Sequence, residues 1–196
     1  MVISCSPRWR KSFDMEICRQ GDTLQISDLD PFLAELLRQI PQSTNPDGAP
    51  GAEARLFSRP AAEKKICAEW KSYVEPELRR LFRSASETVA ADLTQLNGNE
   101  KSLRNRTLRI PVEHADAWLN ALNQARLVIA TKYNFSDEEL NDHDRSPIGS
   151  RRDLGLFQIN FYGFLRNLFC AKYRVRQPAS QIDPDCARAP LPSTCL

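Results

Sequence analysis

Histidine is scarce in this 196-residue chain: there are two, and neither stands at ligand spacing from any of the six cysteines, no two of which form a CxxC pair. No readable zinc pattern and no nucleophile–base pair is left to follow. Glycine is sparse as well, with seven residues and no glycine-rich phosphate loop; GxSxG and HExxH are also missing. Charge of one sign is lacking, since the formal net charge is only +2. A protein that held duplex DNA through many phosphate contacts would carry a basic excess or a dense basic face. Long apolar runs are absent too. The strongest, Leu154 to Phe169, is interrupted by Gln158, Asn160, Arg166 and Asn167, too short and too polar to span a bilayer. The opening MVISCSPRWRK has no apolar stretch of about seven residues to serve as a signal peptide. These absences lead to four expectations: a cytoplasmic protein with reduced cysteines, no membrane association, no metal or cofactor, and no enzymatic activity.

What is present is helix. Hydrophobic content of 41% and charged content of 27% are those of an ordinary globular chain long enough to bury a real core. Phe13 to Arg19, Gln20-Gly21-Asp22, and Thr23 to Ile26 read as a hairpin turning on glycine. Asp28 or Asp30 can cap the next helix, which has Pro31 at its start and Phe32, Leu33, Leu36, Leu37 and Ile40 as its apolar face. Residues 41–60 hold four prolines and two glycines, which predicts a flexible linker or an insertion. Helix resumes after Pro60, with Ile66, Trp70, Tyr73 and Val74 on one side; Pro76 kinks it or opens a new helix. Leu78, Leu81, Phe82, Ala85, Val89, Leu93 and Leu96 continue as a second stripe. Residues 1–11 and the tail 177–196, with its four prolines, are expected to be disordered. A single mostly helical domain over residues 12–176 lies between them.

The segment Thr107 to Leu140 is the most legible. Thr107 to Ile110 is a candidate third strand able to pair with the hairpin. Pro111 then leads a helix whose stripe is Ala115, Trp118, Leu119, Leu122, Ala125, Ile129 and Tyr133. Asn134 suits a left-handed cap, Ser136 with Glu139 a capping box, and Phe135 with Leu140 the flanking staple. The last helix, 152–173, is apolar on nearly all sides. Such a helix is central in a bundle or shared with another chain, and the stripes on the other helices favour the centre. The expected fold is therefore mainly α, a bundle around this C-terminal helix with a small antiparallel β element from residues 13–26 and 107–110.

Candidate sites are few. Asp142-His143-Asp144 is an acidic–imidazole cluster, but consecutive loop residues rarely chelate one ion, and a solvated loop is the simpler reading. His114, in a first helical turn beside Glu113, reads as a surface or cap histidine. Arg79, Arg80, Arg83, Arg104 and Arg106, joined by Lys71 and Arg109, form the best candidate for a basic patch. The ordinary meaning of such a set is a solvated helix flank, and its sharper meaning an anion or nucleic-acid site.

The chain resembles a family of small bacterial proteins known only as a domain of unknown function, whose members are often encoded beside the adaptor that feeds substrates to the Clp protease. The resemblance rests on Gly21-Asp22 with Ile26, Leu29, Phe32, Leu36 and Leu37, on Pro76-Glu77-Leu78, and on Arg109-Ile110-Pro111 followed by Ala117 to Asn123 and Arg126-Leu127-Val128. It covers residues 13–173. It implies no catalytic residues, and it implies proteostasis by gene neighbourhood alone. The expected function is a non-enzymatic interaction or regulatory protein that binds another protein, a homodimer being one form of that. The alternative is a nucleic-acid-binding transcriptional regulator, since a hairpin beside helices can be arranged like a winged helix.

Overall fold

The computed structural model describes residues 15–60, 63–96, 106–141 and 148–173. The two segments expected to be disordered, 1–11 and 177–196, lie outside them. The fold is mainly α with one small three-stranded antiparallel sheet in the order β1-β2-β3. Strands β1 (Glu16–Gln20) and β2 (Thr23–Leu29) form the hairpin, turning at Gly21 with φ 61°. The third strand, β3 (Arg106–Pro111), lies against β2. The register sets Ile17 opposite Ile26, Leu24 opposite Ile110, and Ile26 opposite Leu108, so one face of the sheet is a buried apolar layer. Pro111 closes this strand instead of opening a helix. Its pairing with Thr23 and the bond from Val112 N–H to Asp22 O (2.9 Å) hold the chain to the sheet, and a 3₁₀ turn (Val112–His114) intervenes.

Asp30 caps α1 (Pro31–Arg38) by accepting from the Leu33 N–H at 2.8 Å, and Leu33, Ala34, Leu36 and Leu37 are buried. Residues 41–60, read from the sequence as a flexible linker or an insertion, carry ordered elements. They contain the rest of α2 (Ile40–Ser43) and all of α3 (Ala52–Leu56), with Ala49, Ala52 and Leu56 packed on Val128 in a small second core. Gly48 and Gly51, at φ 77° and 86°, supply the left-handed turns that fold the proline-rich stretch back onto the domain.

A single rod follows, consisting of α4 (Lys64–Glu69), a π turn (Trp70–Val74) and α5 (Glu75–Leu93), with a 3₁₀ turn (Thr94–Leu96) after it. Pro76 follows the π turn inside this continuous rod, so its missing N–H leaves the preceding turn one helical bond short. The core is closed by α6 (Ala115–Lys132) and α8 (Arg151–Tyr173), which run antiparallel, with the short α7 (Asp137–Asn141) between them. Trp118 is fully buried and stacks on Phe169, with ring centroids 5.5 Å apart. Ile159, Phe161, Tyr162, Leu165 and Phe169 of α8 are buried in the core. Its neighbour α6 carries buried Ala115, Ala121, Ala125 and Ala130, whose small side chains let α2, α3, α5 and α8 all approach it. At the corner Asn134 is left-handed (φ 49°), and the capping box forms from both sides: Ser136 N–H donates to Glu139 Oε2 and Glu139 N–H to Ser136 Oγ.

Candidate functional site

Of the arginines singled out from the sequence, Arg79 and Arg80 are paired with carboxylates. Arg79 lies 2.8 Å from Glu53 Oε1 and 2.7 Å from Glu75 Oε1, with its guanidinium 4.0 Å above the Phe57 ring. The hydrogen bond to Glu75, reinforced by Glu53, holds its pKa above the ordinary arginine value. Arg80 pairs with Glu77 at 2.8 Å, while Arg83 and Arg109 are exposed. Arg104 and the side chain of Arg106 lie outside the described residues, as does Asp142-His143-Asp144. The i−4 and i−3 positions of Glu75 and Glu77 are legible in the sequence as pairing spacings; Glu53 is brought in only by the folded 41–60 segment.

His114 is more than a surface residue. Asp92, buried at the end of α5, has both carboxylate oxygens 3.0 Å from His114 Nδ1 and accepts from Trp118 Nε1 at 2.8 Å. A carboxylate only accepts, so Nδ1 carries the proton and Nε2 is the imidazole's other face. His114 and Trp118 stand one helical turn apart, which lets both reach one carboxylate and tie α5 to the start of α6. The arrangement satisfies a buried charge and orients an imidazole. It fixes a helix junction, and among the described residues it belongs to no group of three or more His, Cys, Asp or Glu side chains that could hold a metal ion.

The largest departure from ordinary packing is on the rod. None of Lys64 to Val74 is buried. Ile66 (43%), Tyr73 (76%), Val74 (48%) and Leu81 (51%) are exposed large apolar side chains on its first half. The cause is local. Glu75 N–H donates to Trp70 O, five residues back, and the wider turn keeps the four-residue steps Ile66, Trp70, Val74 and Leu78 on one side of the rod. The sequence shows that stripe but gives no sign that the core fails to cover it.

Elsewhere a groove of about 440 Å³ opens between α2, the end of α6 and the start of α8, with Gln158 donating to Gln39 at 2.7 Å along it and Lys132, Arg151 and Asp47 at its edge. Its charges are mixed, and it gathers no reactive group. No helix among the described residues is long and apolar enough to cross a membrane.

A family model, described as a domain of unknown function (DUF2017), matches residues 17–169, from β1 to the last turns of α8. No curated protein and no solved structure matches the chain.

Proposed function

The chain belongs to the DUF2017 family of domains of unknown function, and from that premise we propose that it is a non-enzymatic interaction protein whose partner, another protein, docks on the first half of the rod. The observation that carries this reading is the set of exposed Ile66, Tyr73, Val74 and Leu81 on one rod, beside half-buried Trp70, in a fold whose other helices bury most of their apolar stripes. Contiguous exposed apolar surface of this kind marks interaction sites, and π turns recur at functional positions. A helix face that presents anchors about one turn apart also offers the helix-in-groove mode of recognition. A cytoplasmic location and a tie to proteostasis belong to this proposal as its finer form.

The nucleic-acid reading is weaker, because the carboxylates of Glu53, Glu75 and Glu77 already neutralise Arg79 and Arg80. Such binding would have to fall steeply with salt. The test is a photoreactive residue placed at Tyr73 in the native cell, with Glu87 as an exposed control on the same rod. A discrete protein adduct from position 73 alone, lost when Ile66 and Val74 become aspartate, is the expected result. An adduct of twice the chain mass identifies the homodimer form. No adduct, or equal adducts from both positions, contradicts the proposal.

A further inference from the structure

We propose that Arg126 on α6 and Arg166 on α8 form a binding site for a phosphate group, seated over Gly163. The packing of the two antiparallel helices sets this up. Trp118 meets Phe169 at one end and Tyr133 lies against Gly155 at the other, so Arg126 falls between them against Gly163. A Cβ at Gly163 would stand 3.4 Å from Arg126 Nε and Cζ and 3.5 Å from Nη2, so the glycine lets the guanidinium lie close to the α8 backbone. Arg166 stands three residues, about one turn, further along α8.

Arg126 is set apart by its burial, and Arg166 is the cation nearest to it along α8. Arg19, Arg38, Arg79, Arg80 and Arg152 each have a carboxylate oxygen within 3.9 Å. No carboxylate pairs with Arg126 or Arg166 among the described residues, and Arg126 Nε is a buried donor without a hydrogen-bond partner there. A buried donor left without a partner is costly, and two cations on facing helices repel. Burial, and then the charge of Arg166, lower the Arg126 pKa from its ordinary value. One ligand class relieves both penalties: a group with several acceptor oxygens and nearly two negative charges. A carboxylate matches a single guanidinium edge, whereas a phosphate has the oxygens and the charge for two. Because Gly163 presents no side chain, the Arg126 guanidinium can turn out of its resting place toward such a ligand. The phosphate can be free or part of a monoester.

The whole protein is titrated with inorganic phosphate, and separately with O-phosphoserine, at constant ionic strength, while arginine Nε–H resonances are followed by NMR. Saturable shifts of Arg126 and Arg166 are expected, with affinity reduced at least tenfold in Arg126→Met and in Arg166→Met. Each substitution removes one of two like charges, so the phosphate-free melting temperature should be unchanged or raised, which a merely structural arginine would not give. Tighter binding of O-phosphoserine assigns the site to a phosphomonoester, and tighter binding of phosphate assigns it to the free ion. If Arg126→Met fails to fold, Arg166→Met alone decides. Shifts that rise linearly without saturating, or saturable shifts that survive in the folded variants, overturn the proposal. The outcome is independent of the rod's partner.

Discussion

Two side chains set the energetics of the core at the residue scale. Trp118 is legible in the sequence as the middle of a stripe, and the structure buries it fully against Phe169. Trp118→Ala is expected to cost about 3–5 kcal/mol, as for other buried large aromatics; an unchanged urea midpoint would contradict this packing. Its partner Asp92 is not legible, because the hydrogen bond spans 26 residues and no local spacing announces it. Tyr162 supplies the pH dependence. It is fully buried, its hydroxyl donates to Leu36 O at 2.8 Å, and burial pushes its pKa well above the ordinary phenol range. Its proton is therefore held longer in the folded chain than in the unfolded one. That contribution is complete below the unfolded pKa of about 10 and is lost as pH rises from there toward the folded value. Denaturation midpoints should fall above about pH 10. Tyr162→Phe should flatten that part of the fall while costing about 0.5–1.5 kcal/mol at neutral pH for the lost hydrogen bond. A Phe variant with an unaltered alkaline limb would refute the assignment.

At the scale of elements, two glycines on α8 make a paired prediction. Alanine is favoured over glycine in a helix by about 1 kcal/mol. At Gly163 the added Cβ meets only the movable Arg126 guanidinium, so Gly163→Ala should be neutral or stabilising. At Gly155 it would come within 2.7 Å of the Tyr133 ring and 3.4 Å of Ile129, so Gly155→Ala should be net destabilising, overpacking costing about 1–3 kcal/mol. Thermal melts of the two variants shifting in the same direction would show that the α6–α8 contact is misplaced. Most elements are readable in advance, since Asp30, Ser136 with Glu139, and the period-2 strands all use local chemistry. The 41–60 segment is not. Its prolines and glycines signal a linker, but what orders it is tertiary: Ala49, Ala52 and Leu56 on Val128, and Arg55 on Thr131 at 3.3 Å. The bond after Arg55 should accordingly resist trypsin under native conditions, and rapid cleavage there would contradict the packing.

For the whole molecule, the sequence yields the fold class and the third strand's pairing but not the site, for one physical reason. An amphipathic stripe states that a helix face is apolar; which face the rest of the chain leaves uncovered is decided by the fold. Ile66, Trp70, Tyr73 and Val74 read like the core stripes of the other helices, yet no residue from Lys64 to Val74 is buried. The pairing of Arg79 is hidden for the same reason, since Glu53 reaches it only once the chain is folded. If the rod's stripe serves recognition rather than stability, function and folding separate at these positions. The most direct measurement combines Ile66→Asp with Val74→Asp in the full chain and records both its denaturation midpoint and the size of its native complex in cell extract. The account predicts a midpoint within about 0.5 kcal/mol of the parent, as for surface substitutions, together with collapse of the complex to the free protein. A complex of unchanged size, or a variant that loses its fold, would contradict it.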